Sequence, residues 1–162
     1  MLSYTVVSNE IDDLLAICTS KMISRALYGA NNGVYTSEQM LALEKWLSPE
    51  ALKQRVAGSI AVFFILDTPV AVGVTAPTLF GWEINTLYVS PDSQRQGIGF
   101  GLVNLLESYA ADNNARLMSL CSVNFPSTIQ FYQHMGYSTL GQITHVIEEV
   151  PISFMAMQKE LR

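Results

Sequence analysis

Gln94-Arg95-Gln96-Gly97-Ile98-Gly99-Phe100-Gly101 joins a stretch that reads as a β-strand to one that reads as a helix. Glycines at 97 and 99 let backbone amides approach a ligand. The unpaired amides of a helix's first turn, backed by its dipole, bind an anion such as a pyrophosphate. A glycine-rich turn also starts helices that bind nothing, so spacing has to decide its kind. A dinucleotide fingerprint needs a third glycine at position 102, where Leu102 stands, and a Walker loop needs a Gly-Lys-Ser/Thr that is absent. The loop is neither.

Working outward, Trp82 to Val89 reads as a strand that Ser90-Pro91-Asp92-Ser93 ends, and Leu102, Leu105, Leu106 and Tyr109 recur at helical spacing as far as Asn113. Arg116 to Val123 reads as a further strand. Pro126 suits the first turn of a helix that carries Ile129 and Tyr132 and stops at Gly136, a natural left-handed cap. Upstream, Ser59 to Leu66 and Val70 to Thr75 form a meander with Trp82 to Val89. Before these come a short strand at Tyr4 to Ser8, a helix capped by Asn9 and carrying Ile11, Leu14, Leu15, Cys18 and Met22, a turn cluster at Gly29 to Gly33 and a helix over Thr36 to Trp46. Ser48-Pro49-Glu50 opens a turn or short helix. With two strands at the C-terminal end the order is β-α-α-β-β-β-α-β-α-β-β.

The 162 residues are 49% hydrophobic and 14% charged, enough apolar surface for the core of one domain spanning residues 1–162. Disorder is excluded on the same ground. Nine Lys and Arg against fourteen Asp and Glu give a net charge of −5, with no general attraction to a polyphosphate backbone. The apolar runs, Ile60 to Leu66 among them, are far short of the roughly 20 residues a membrane span needs, and no basic region precedes an apolar block at the N-terminus. The expectation is a cytoplasmic protein with no membrane or nucleic-acid partner. Cys18 and Cys121 form no CxxC motif and, with His134 and His145, no zinc spacing, so buried free thiols, solvated imidazoles and no metal are expected.

The glycine loop does match the acetyl-CoA loop of the GCN5-related N-acetyltransferase (GNAT) family, of the form Gln/Arg-x-x-Gly-x-Gly/Ala, through Gln94, Gly97 and Gly99. Glu83-Ile84-Asn85-Thr86-Leu87-Tyr88-Val89-Ser90-Pro91 resembles that family's fourth strand and its exit, and Phe131-Tyr132-Gln133-His134-Met135-Gly136-Tyr137 resembles its Phe-Tyr…Gly-Phe/Tyr segment. The resemblance is specific over residues 82–137. It implies an α/β (α+β) fold: a mixed, mostly antiparallel sheet of about six or seven strands flanked by about four helices, with a splay between the fourth and fifth strands.

It also implies a set of roles. Main-chain groups of Leu87, Tyr88 and Val89 would hold the pantetheine arm and acetyl group of acetyl-CoA, and amides of Arg95, Gln96, Gly97, Ile98, Gly99 and Phe100, after Gln94, would hold the pyrophosphate. Asn124 resembles the family asparagine that bonds the CoA arm, with Ser127 as the alternative. Tyr132 would be the general acid: the leaving thiol has a pKa of about 8.5, and a phenol at about 10 still carries its proton at neutral pH. An amine with a pKa of about 10.4 is neutral in only about one molecule in a few thousand at pH 7, so a base or a water chain must take its proton. Glu83 is the candidate, on the same strand face as Asn85, Leu87 and Val89 unless a bulge resets the parity. Cys121 could in principle be acylated, but its apolar strand setting points to an inert thiol.

Family resemblance places the acceptor pocket against the first two helices and the segment from Gln142 to Phe154, which brings in Tyr28, Tyr35, Gln39 and Trp46. The activity implied is transfer of acetyl from acetyl-CoA to a primary amine of a small molecule, by direct attack in a ternary complex without metal. A protein N-terminus or lysine as acceptor, or a CoA-binding module without catalysis, are the alternatives. Edge strands near the C-terminus would suit a homodimer.

Overall fold

Side chains at the element ends set where each element starts. The computed structural model describes residues 2–162. Strand β1 (Ser3–Ser8) is followed by α1 (Asp13–Ala30), which is capped by Asp12, whose side chain accepts from the Leu15 N–H at 2.7 Å. Asn9, expected as that cap, sits ahead of the helix with a φ of 72°. Gly29 lies inside α1, so the turn begins two residues later than the glycine cluster suggests. Thr36 and Gln39 form a reciprocal capping box at the head of α2 (Ser37–Trp46). Ser48 caps α3 (Pro49–Val56), with Pro49 at its first turn; the expected turn or short helix is thus a two-turn helix, which makes five α-helices among the described residues beside the about four expected.

The meander follows as β2 (Ile60–Ile65), β3 (Pro69–Pro77) and β4 (Trp82–Val89). After a 3-10 turn at Pro91–Ser93 come α4 (Ile98–Asp112), β5 (Leu117–Val123), α5 (Pro126–His134), β6 (Ser138–Ile147) and β7 (Val150–Glu160). The seven strands form one sheet in the order β1-β2-β3-β4-β5-β7-β6. Every neighbouring pair is antiparallel except β4 and β5, which run parallel.

Alternation along the strands divides the core between the two faces. Phe63, Val72, Val74 and Phe154 face α1, α2 and α3, where Leu27, Leu43 and Leu52 meet them. Val62, Ala71, Met118 and Met157 face α4 and α5, packed on Leu102, Leu106 and Tyr132. Each large apolar side chain so buried contributes roughly 1.5–3 kcal/mol. Gly73 allows α4 to sit down on β3, for a Cβ there would lie 2.8 Å from Leu106 and 3.0 Å from Leu102. That close seat fixes the start of α4 beside the end of β4.

Candidate active site

β4 and β5 pair over only three rungs, Trp82 with Met118, Glu83 with Ser119 and Ile84 with Leu120. Beyond them β4 stays on β3 as far as Val89 while β5 stays on β7 as far as Val123, so the two strands part. The parting coincides with a bulge: Val74 opposes Thr86 and Thr75 opposes Ile84, which leaves Asn85 as the extra residue. The bulge resets the strand's parity. Trp82 and Ile84 pack toward α4 and α5, as do Leu87 and Val89, while Tyr88 packs toward the opposite face. Glu83 therefore shares a face with Tyr88 and not, as alternation predicted, with Leu87 and Val89.

A cavity of about 450 Å³ fills the split. Its floor is the freed length of β4 from Asn85 to Val89, and its far wall is Cys121 to Val123 of β5 with Phe125, Ser127, Thr128, Phe131 and Tyr132. At one end stand Gln94, Arg95, Gly97, Gly99 and Phe100 of the glycine loop. At the other stand Ala26, Leu27 and Ala30 of α1, Trp46 and Phe154.

The loop end is built for an anion. Gly97 caps α4 in the left-handed region at φ 80°, and a Cβ added to it would meet nothing within 4 Å. Gly101 makes the helix's first bond, to the Gly97 carbonyl at 3.0 Å, so the amides of Ile98, Gly99 and Phe100 precede the helical ladder. No acidic side chain sits in that first turn to occupy the dipole's positive end. Gln94 ties the loop back to β4 by donating from Nε2 to the Val89 carbonyl at 3.1 Å. Arg95 is the one charged side chain in the lining among the described residues.

Two phenols face the split. Tyr132 is 5% exposed and packs edge-on to Phe131 at 5.1 Å and Tyr137 at 5.6 Å. Burial pushes its pKa well above the ordinary phenol value, and Tyr88 adds to the effect. Tyr88 is likewise pushed up by burial, with the charge of Arg55 opposing. Both are neutral proton carriers at physiological pH. Cys121 lines the cavity and is exposed, where a buried thiol was expected; partial desolvation and the charge of Glu83 push its pKa up and keep it a thiol. Cys18 is half-buried.

Other side chains singled out in the sequence lie outside the lining. Asn124 points its main-chain N–H at Tyr35 Oη, 2.8 Å away, and Ser127 lines the cavity in its stead. Tyr35 is 6% exposed and its hydroxyl donates to the Ser153 carbonyl at 2.6 Å, so it ties the exit of β5 to β7 behind the cavity wall. Gln39 is engaged in its capping box and donates from Nε2 to the Pro151 carbonyl at 3.0 Å. Tyr28 is a surface residue donating to Glu44 at 2.8 Å. Gln96 is absent from the lining, and the Ile98 side chain belongs to the core under α4. Glu83 is outside it too, though its charge is felt at Cys121 and Arg55. His134 and His145 are exposed; the first holds Nδ1 2.8 Å from the Gln130 carbonyl, the second packs edge-on to Phe154.

Arg55 was not anticipated. Its Nη1 donates to the Asn85 carbonyl at 3.0 Å, and the guanidinium lies 4.1 Å over the Trp46 ring. No local pattern marks an arginine on a short amphipathic helix for this contact, since its partner is thirty positions away.

Among the described residues no group of three or more His, Cys, Asp or Glu is placed to hold a metal ion, and no helix is long and apolar enough to cross a membrane.

Comparison with known proteins bears on this geometry. The model of the acetyltransferase (GNAT) family matches residues 21–137. No curated protein matches the chain. A GCN5-related N-acetyltransferase from Rhodopseudomonas palustris superposes with a TM-score of 0.82 at 20% identity, over 99% of this chain and 98% of its own. The PaiA N-acetyltransferase of Thermoplasma acidophilum, solved in complex with coenzyme A, gives 0.75 at 14% identity over 98% and 99%. A phosphinothricin acetyltransferase of Sinorhizobium meliloti in complex with acetyl-CoA gives 0.62 at 17% identity over 98% and 88%. At such identities the likeness is one of fold.

Proposed function

The chain belongs to the GNAT acetyltransferase family, and from that premise we propose that it transfers the acetyl group of acetyl-CoA to a primary amine of a small molecule, residues 1–162 acting as one catalytic domain. The observation that carries this reading is the parting of β4 from β5 beyond Ile84 and Leu120, directly beside the open N-terminus of α4. A split strand leaves main-chain groups without ladder partners, free to pair with a ligand in place of water. Structures of the same fold solved with coenzyme A or acetyl-CoA support that occupant.

In this reading the amides from Arg95 to Phe100 hold the pyrophosphate, and Leu87 to Val89 hold the pantetheine arm with Ser127 facing them. When bound, acetyl-CoA supplies an acyl group activated as a thioester. The β4 amides aimed at its carbonyl oxygen stabilise the negative charge that grows there. Tyr132, neutral because it is buried, gives its proton to the departing sulfur. The ammonium acceptor sheds two protons: one replaces the proton Tyr132 gave, and the other leaves through water to Glu83 and the solvent. Glu83 lies behind the cavity wall, so a water relay suits it better than direct contact. Trp46, Phe154 and Leu27 close the acceptor end with apolar walls, which favours a small molecule over a polypeptide.

The test is to mix the protein with acetyl-CoA and a panel of small primary amines and follow free thiol release, with calorimetry for coenzyme A alongside. Turnover with at least one amine is expected. Tight coenzyme A binding without turnover of any small amine, but with turnover of peptides, would move the acceptor to polypeptide. No affinity for coenzyme A or acetyl-CoA would end the reading.

A further inference from the structure

Arg55 of α3 reaches the one residue of β4 that the ladder leaves out. Asn85 has no register partner on β3, and β5 has already parted at Ile84, so neither neighbouring strand continues the ladder at the bulge residue. Arg55 Nη1 supplies the hydrogen bond at 3.0 Å. Its Nη2 lies 3.4 Å from the Trp46 carbonyl, and its plane stacks over the Trp46 ring at 4.1 Å. The guanidinium is thus held between the end of α2 and the bulge. Burial pulls its pKa down while Tyr88 and Glu83 push it back up, and an arginine stays charged through such changes. A partly desolvated cation committed to a main-chain oxygen is an expensive way to fill space.

We propose that Arg55 is a positioning residue for acetyl transfer: by holding the Asn85 carbonyl it fixes the bulge, and through the bulge the aim of the β4 amides at the thioester oxygen. The inference rests on the split being the acetyl-CoA site. The peptide unit is planar and trans, so turning the Asn85 carbonyl toward α3 turns the Thr86 N–H the opposite way. Thr86 is where the β4 register resumes, opposite Val74, and a slip of one residue from there would exchange the faces of Leu87, Tyr88 and Val89. A charged donor makes the stronger kind of hydrogen bond, and the flat fork of arginine can stack and donate at once, which lysine on its flexible stem cannot.

The probes are coenzyme A and acetyl-CoA labelled with ¹³C at the acetyl carbonyl, so the acceptor need not be known. In the wild-type protein the bound carbonyl resonance is expected downfield of free acetyl-CoA, as donation to its oxygen requires. Arg55→Met is expected to return it most of the way to the free position, while coenzyme A affinity by calorimetry stays within about threefold. With an amine that the wild type acetylates, kcat falls about 100-fold, the size of effect that an ångström of misplacement has on a reaction, and the KM for acetyl-CoA changes little. Arg55→Lys falls between the two. An Arg55→Met protein that keeps both the wild-type resonance and kcat overturns the proposal. Should that variant not fold, Arg55→Gln and Arg55→Lys decide by the same outcomes; if none of the three folds, Arg55 is a structural residue and the proposal fails. A wild-type protein that binds no acetyl-CoA overturns the site itself, a result distinct from either.

Discussion

The two halves of β4 share a strand and a sheet but have different neighbours. From Trp82 to Ile84 the strand is paired on both sides, and Ile84 lies buried under α4 beside Met118. From Thr86 to Val89 it is paired on one side only, and a cavity takes the place of the second neighbour. One inserted residue, Asn85, separates the halves. The first half spends its side chains and its ladder on stability; the second leaves main-chain groups free on one side, to be paired by whatever enters. A substitution on the closed side should therefore destabilise the protein without changing its chemistry, and one on the open side should do the reverse.

The largest effect tests the closed half through its partner on β5. Met118, fully buried opposite Trp82, should cost about 3 kcal/mol of folding stability when changed to alanine, through lost burial and the cavity left behind. Urea unfolding measures it, and coenzyme A affinity per folded molecule should be unaltered. A tenfold loss of affinity in the same variant would mean that the halves are not independent.

Tyr132→Phe is the counterpart on the open side, on α5 across the cavity from the freed length of β4. The ring keeps its edge contacts with Phe131 and Tyr137 and loses only the hydroxyl, and with it the proton to give. kcat should drop about 100-fold, at the lower end of what a positioned acid contributes, with the thermal midpoint where it was. A lower midpoint with kcat retained would make Tyr132 a core residue and nothing more.

The two phenols also set a pH dependence. The folded-state pKa values of Tyr132 and Tyr88 lie above the ordinary phenol value of about 10, because burial favours the neutral form. The stability they contribute is thus fully present below about pH 10 and is lost as pH rises through the higher folded values. Unfolding free energy measured from neutral to strongly alkaline pH should hold up to about pH 10 and fall beyond it, and Tyr132→Phe should soften the fall. Tyrosinate absorbance at these sites appearing below the ordinary phenol range would contradict the burial argument.

How far the sequence carried follows from what each residue depends on. The glycine loop, the proline at the head of α5, the turn at Gly136 and the order of strands are local, set by backbone dihedrals and short periodicities, and they were legible. So was the split, through the family resemblance of the flanking segments. Tyr28, Tyr35 and Gln39 illustrate the opposite case. As aromatic and polar residues near the first two helices they suited an acceptor pocket, yet Gln39 closes a capping box, Tyr35 bridges two strands and Tyr28 serves a surface carboxylate. Those partners range from three positions away, as Thr36 is from Gln39, to 118, as Ser153 is from Tyr35. Glu83 was assigned to the wrong strand face because a one-residue bulge has no sequence marker, and Arg55 was invisible because its partner at that bulge is thirty positions away.

The smallest effect bears on the wall across from β4, where the sequence left two candidates for the CoA arm. Ser127 lies in the first turn of α5 and lines the cavity; Asn124 sits just beyond β5, outside the lining, with its main-chain N–H committed to Tyr35. Ser127→Ala should weaken coenzyme A about fivefold, the worth of one neutral hydrogen bond of about 1 kcal/mol, and Asn124→Ala should leave it unchanged. Calorimetry on both variants separates them. The reverse result would place the arm against the exit of β5 instead of the head of α5, and the open half of β4 would then face a main-chain wall like itself. With Ser127 as the contact the split is asymmetric, backbone on one side and side chains on the other, and a ligand held that way takes its orientation from α5 while its carbonyl is polarised from β4.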